Sequence, residues 1–206
     1  MRRSGTCILI CLAAVALAGV SLGCSGLASG QQLIRAARTA PAPADRRQAL
    51  IELKGRTEPG MRQDLEAVLG QELDPASRAL AADLLGEIGD AASAPELSRS
   101  ARADTRWIVR KRALDALARV QGAAASDDIQ FALRNDPDPE VRTEAAVLAR
   151  KSLPQADSVP NLLGALRDHS SVVRLQAAAM LEDMTGLRVA PDAESWQKAL
   201  AAAKKP

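Results

Sequence analysis

Arginine recurs every 32 residues along this chain, at Arg46, Arg78, Arg110, Arg142 and Arg174, and each is followed three positions later by an alanine, at Ala49, Ala81, Ala113, Ala145 and Ala177. A fixed period of this length marks a stacked repeat protein, in which no unit can bury its apolar face alone and each must lean on its neighbours. The surroundings of the arginines specify the unit. Val109, Val141 and Val173 precede three of them. Apolar residues stand four and seven positions later, as in Leu50 and Leu53, Leu114 and Leu117, Ala178 and Leu181. Ile88, Val120 and Met184 come ten positions later. At about 100° per residue these offsets fall on one broad helical face, wider than a single partner helix needs. A second, shorter amphipathic stretch follows each arginine helix, marked by Leu65 and Leu69, Leu97 and Ala101, Ile129 and Leu133, and Leu162 and Leu166. No segment alternates with a period of two, so no sheet is expected. The expected fold is all-α, an α-α superhelix of about five 32-residue helical hairpins over residues 45–190.

The punctuation agrees with this reading. An acid stands six residues before the arginine at Glu72, Asp104, Asp136 and Asp168. Such a residue suits a helix start, where its oxygen can accept from free backbone N–H groups. Asp136-Pro137-Asp138-Pro139 is a strong stop-and-restart signal. The segment running from Asp136 through Val141-Arg142 to Ala145-Ala146 resembles the HEAT repeat, and more narrowly the short type shared with phycobilisome lyases. The ending Met184-Thr185-Gly186, with Asp192 and Trp196, is similar to the tail of bacterial HEAT-repeat lipoproteins. That resemblance implies a C-terminal capping helix over residues 191–206, started by Asp192 after Pro191, covering the open end of the stack.

The first residues have a different character. Arg2 and Arg3 precede an apolar run of 16 residues from Cys7 to Leu22, and small residues lead to Cys24. A charged start, an apolar middle and a small-residue exit form a secretory signal over residues 1–23. The run falls short of the about 20 residues that span a bilayer comfortably. Ser21-Leu22-Gly23-Cys24 resembles the lipobox of bacterial lipoproteins, which implies lipid attachment at Cys24 with acyl chains of the palmitate kind; Ser21 stands where an aliphatic residue is usual. The alternatives are an uncleaved signal anchor in the inner membrane and a cleaved, soluble secreted protein. Ser25 after the cysteine is compatible with sorting to an outer membrane. The cysteines are Cys7, Cys11 and Cys24, so nothing beyond the junction can form a disulfide, and the exported domain must be held by packing. Residues 24–44 end in an Ala/Pro run with Pro41 and Pro43, and read as a lipidated N-terminus and flexible tether in which a short helix around Gln31 to Arg38 is allowed but not required.

Charge and composition narrow the function. Of the 27 Lys and Arg, Arg2 and Arg3 lie in the leader, which leaves 25 against 25 Asp and Glu. A neutral chain with no Tyr, one Phe and two Trp offers neither the positive field nor the stacking platforms that nucleic acid requires. His169 is the single histidine, and it sits in a loop. The iron-binding His-Glu pairs of some HEAT-repeat enzymes do not occur, no calcium-loop spacing or phosphate loop appears, and no nucleophile elbow precedes His169. Asp127-Asp128 suits the start of a helix better than acid-base chemistry. No cofactor, metal or catalytic set is therefore expected.

Two groups of arginine are candidates for function or structure. The ladder of Arg46, Arg78, Arg110, Arg142 and Arg174 is expected to pair with acids near the preceding loop and to stack repeat on repeat. The second helices carry Arg62, Arg99, Arg102, Arg134 and Arg167 outside their apolar positions, and Arg102 and Arg134 share a repeat offset that lines them up. These five form the candidate binding surface. The expected function is a non-catalytic scaffold of the bacterial envelope, exported and membrane-anchored through lipid, that binds protein partners. A phycobilin lyase-like accessory subunit and a purely structural envelope spacer are the alternatives.

Overall fold

The computed structural model describes residues 28–203, and the secretory signal and Cys24 lie outside them. Those residues form helices and connecting turns with no strand among them. The arginine-bearing helices are α2 (Pro43–Glu52), α4 (Pro75–Ile88), α6 (Trp107–Gln121), α8 (Pro139–Ser152) and α10 (Ser171–Thr185). Between and around them run α1 (Gly30–Thr39), α3 (Met61–Gln71), α5 (Ala94–Ala103), α7 (Ser126–Asn135), α9 (Gln155–Ala165) and α11 (Ala193–Ala203). Each arginine helix packs on the next arginine helix, and each odd-numbered helix on the next odd-numbered one, so the stack has two parallel rows. No described helix is long and apolar enough to cross a membrane.

The helices start and stop where local chemistry requires. Pro75 and Pro139 open α4 and α8 at a position where the missing N–H costs nothing. Asp74 Oδ2 caps α4 by accepting from Ser77 N at 3.1 Å, and Asp138 Oδ1 caps α8 by accepting from Glu140 N at 2.9 Å. Gly89 and Gly186 close α4 and α10 at φ of 70° and 71°, the left-handed region that glycine enters without steric cost. The four arginine helices from α4 onward end about ten residues past their arginine, as the periodicity predicts. α2 is shorter. It stops at Glu52 because Gly55, Pro59 and Gly60 crowd the chain that follows.

The core runs the length of the stack between the two rows. Ala81, Ala113, Ala145 and Ala177 are each 0% exposed. Their missing side-chain bulk lets neighbouring helices approach closely. α4 and α6 approach closely, so that a Cβ on Gly86 would lie 2.9 Å from both Cα and Cβ of Ala116. The second-row residues Leu65, Leu69, Leu97, Ala101, Ile129, Leu133, Leu162 and Leu166 are all buried.

Two features differ from the sequence expectation. Residues 24–44 are not all tether, because α1 lies inside them. Ser29 and Gln32 make a capping box at its start, Leu33, Ile34 and Ala37 are buried, and α1 packs on both α2 and α3. The hairpin phase also moves. The tight three-residue connections run from α1 to α2, α3 to α4, α5 to α6 and α7 to α8, so each arginine helix pairs with the helix before it. α11 then continues the second row on α9, with Trp196 0% exposed and Asp192 Oδ1 accepting from Ser195 N at 2.8 Å.

Candidate functional site

Each ladder arginine from Arg46 to Arg142 is a clamp with two jaws. Its Nη1 donates backward to loop carbonyls of its own repeat, as Arg78 does to Glu72 O at 2.8 Å and Arg142 to Asp136 O at 2.8 Å. Its Nε and Nη2 edge donates forward to a carboxylate 26 residues later. The rungs are Arg46 with Glu72, Arg78 with Asp104, Arg110 with Asp136 and Arg142 with Asp168, each bidentate with bonds of 2.6–3.0 Å. The acid therefore comes from the following loop, and the preceding loop supplies carbonyl oxygen instead. A planar guanidinium satisfies both jaws at once because its five N–H donors form a rigid fork, which lysine lacks.

The acids are held from both sides. Asp104 Oδ1 accepts from Arg106 N at 2.9 Å, Asp136 Oδ1 from Asp138 N at 2.9 Å, and Asp168 Oδ1 from Ser170 N at 2.8 Å. Burial by itself would raise the carboxyls of Glu72, Asp104 and Asp168. The guanidinium of the previous repeat and the backbone N–H bonds outweigh it and hold all three below the usual range. The Asp104, Asp136 and Asp168 carboxylates hold their partners Arg78, Arg110 and Arg142 above the ordinary arginine value, although burial opposes this. The most enclosed rung is Arg110–Asp136, with side-chain exposures of 9% and 4%.

The second row carries its own rungs, spanning 26 or 27 residues. Arg38 Nη1 meets Asp64 Oδ1 at 2.5 Å, Arg102 Nε meets Asp128 Oδ1 at 2.5 Å, and Arg134 Nη2 donates to Asn161 Oδ1 at 3.0 Å. Arg102 also lies 4.7 Å from the centre of the Phe131 ring. The position between Arg38 and Arg102 is Gly70, and Glu96, the acid opposite it, is taken by Arg99 instead. Arg62 binds Glu66 at 2.7 Å and Asp90 at 2.9 Å. Four of the five candidate binding arginines are thus engaged within the stack. Arg167 is exposed and has no ion pair among the described residues. Asp127 and Asp128 sit in the first turn of α7, where Asp128 accepts from Ser98 Oγ at 2.8 Å as well as from Arg102.

The other candidate chemistry is placed as follows. His169 is exposed, and its carbonyl accepts from Arg174 Nη1 at 3.1 Å. No three His, Cys, Asp or Glu side chains converge on a common point among the described residues. On the arginine-row side, a shallow groove between α4 and α6 is lined by Ala79, Leu80, Ile108, Asp83 and Arg112. Burial pushes the Asp83 carboxyl up against the opposing pull of Arg112 and Arg119.

What this arrangement can do is hold a long, two-rowed surface in register. The HEAT-repeat family profile matches residues 30–118 and 127–203, nearly the whole of both rows. The chain belongs to the HEAT-repeat family. Among solved structures it is similar to a chain of the complex of CpcE and CpcF of phycocyanin lyase from Nostoc sp. PCC7120. That match has 18% sequence identity and a TM-score of 0.61, and it covers 81% of this chain and 68% of the other. The likeness shows a shared fold. No curated protein matches the sequence.

Proposed function

We propose that this protein is a non-catalytic scaffold that docks protein partners along its stack and is held at a bacterial envelope membrane by lipid on Cys24. The observation that carries the scaffold reading is the engagement of the patterned residues in repeat-to-repeat contacts. Four ladder arginines, their four acids and the alanine seam are spent on register. What is left is an extended surface held in fixed shape, the arrangement by which repeat proteins bind. The neighbour with the same fold is itself part of a two-protein complex, which supports docking as the mode of action.

The membrane tether rests on the sequence of the first 24 residues. Crosslinking from intact membranes tests both halves, with Cys24→Ala as the control. Cys24→Ala is expected to abolish metabolic labelling by palmitate and to release the protein from the membrane fraction. Partners that are identical for the released form remove the tether from the function. A structural envelope spacer would yield no crosslinked partner at all.

A second reading follows from the phycocyanin lyase neighbour, which favours an accessory subunit acting on a bilin-bearing protein. Fractionation separates the two. Recovery from cytosol with residues 1–23 intact would favour the lyase-like reading over the envelope scaffold.

A further inference from the structure

The two rows end unequally. In the second row α11 packs on α9, but among the described residues no helix continues the arginine row beyond α10. Arg174 is nevertheless oriented like every other rung. Its Nη1 donates to Asp168 O at 2.8 Å and to His169 O at 3.1 Å, repeating the backward jaw of Arg46, Arg78 and Arg142. Its Nε and Nη2 edge, which in the four earlier rungs holds a carboxylate, meets none among the described residues.

The surface beside it is the one that inner repeats cover. Leu175, Ala179 and Glu182 follow Arg174 by one, five and eight positions. At those offsets in earlier repeats, Arg47 reaches Asp74, Lys111 reaches Glu140 and Glu144, Asp83 faces Arg112 and Arg119, Gly86 abuts Ala116, and Arg150 meets Asp183. Every one of these contacts is to the following arginine helix or to its N-cap residue. On α10 the same face stands open, and Leu175 is 57% exposed.

We propose that the outer face of α10 docks an acid-led helix of a different protein, with Arg174 gripping the carboxylate that precedes that helix. The inner rungs define the occupant's chemistry. Glu72, Asp104, Asp136 and Asp168 each stand three residues before the helix they introduce. A second copy of this chain does not fit. Its own first arginine helix, α2, has Ala40 at the equivalent position, which offers only a backbone carbonyl. Residues 1–27 and 204–206, outside those described, do not fit either, because they contain no Asp or Glu. A helix with a small or apolar face toward Leu175 and Ala179, led by an acid, completes the row. This deepens the scaffold reading and rests on it.

The test uses the full chain and a synthetic peptide copying residues 100–121, which presents Asp104 three residues ahead of the α6 helix and carries Ile108 and Ala116 on the side that α6 turns to α4. Saturable binding is expected in a fluorescence anisotropy titration. It should weaken by about tenfold or more on Arg174→Glu in the protein or on Asp104→Asn in the peptide. Pairing Arg174→Glu with an Asp104→Arg peptide should recover it. Unsaturated binding at millimolar peptide, or equal affinity for the Arg174→Glu protein, overturns the proposal. In crosslinking from membranes, a partner captured through Leu175 should be lost with Arg174→Glu and captured less well, but not lost, with Arg174→Lys, which keeps the charge without the fork. Partners that persist unchanged in Arg174→Glu leave the scaffold intact and overturn docking at this end.

Discussion

Arg110 and Arg174 occupy the same repeat position in different company, which makes them a natural pair for measuring what a rung contributes. Removing one member of a buried ion pair leaves the other charge unpaired, at a cost of about 3–5 kcal/mol. Arg110→Ala leaves Asp136 in that condition, and a loss of about 3 kcal/mol is expected from urea unfolding midpoints. Arg174→Ala leaves no carboxylate behind among the described residues, and its loss should stay near about 0.5 kcal/mol. Equal losses for the two would place the stabilisation in the loop carbonyls rather than in the acid. The acids also predict a pH dependence. Glu72, Asp104 and Asp168 have folded values below their unfolded ones. Their contribution is fully present above the unfolded values of about 4 and disappears as pH falls through the lower folded values. Stability measured from neutral pH downward should therefore hold until about pH 4 and then decline. Asp104→Asn should make that decline shallower, because it removes one proton-linked group.

At the scale of the helix, the legible parts were those that repeat. The arginine helices, their seam of alanines and the second-row leucines all follow from periodicity, because identical units must bury identical faces. The forward pairing was available in the same signal. Arginine and acid share the 32-residue period, so an acid six before one arginine is also 26 after the previous one. The sequence alone does not say which of two equally spaced loops the side chain reaches; that depends on how the helices stack in space. α1 was allowed by the sequence around Gln31 to Arg38 but not required, for a different reason. Its signal, Ser29 with Gln32 followed by Leu33, Ile34 and Ala37, is brief, carries no arginine at the ladder offset, and lies against an Ala/Pro run that reads as linker. The candidate site was less legible than the fold. Arg102 and Arg134 do line up, and each bonds to the next second-row helix, at Asp128 and Asn161, which alignment in the sequence does not reveal. Gly70 is the gap in that second ladder. Gly70→Arg should supply the missing rung to Glu96 while removing a helix-interior glycine, displacing only the flexible ends of Glu96 and Arg99. A gain of about 1 kcal/mol is expected in urea unfolding.

At the scale of the molecule, stability is a chain of neighbour terms, so damage should stay near where it is done. Trp196 is the largest fully buried side chain and joins α11 to the end of the second row. Trp196→Ala should cost about 3–5 kcal/mol locally. Hydrogen exchange should then accelerate across α9 and α11, while amides in α4 and α6 keep their protection. Loss of protection throughout would show that the stack unfolds as one unit.

The rungs have a mechanical consequence. Each clamp ties a helix to a loop one unit further along, so clamps lie in series between the two ends of the protein, like links in a watch strap. Under tension applied between the two ends of the stack, such links carry the same load and give way one after another. Each failure releases a unit of 32 residues, roughly 110 Å of extended chain. A protein held at one end and pulled at the other would lengthen by measured steps instead of detaching at once.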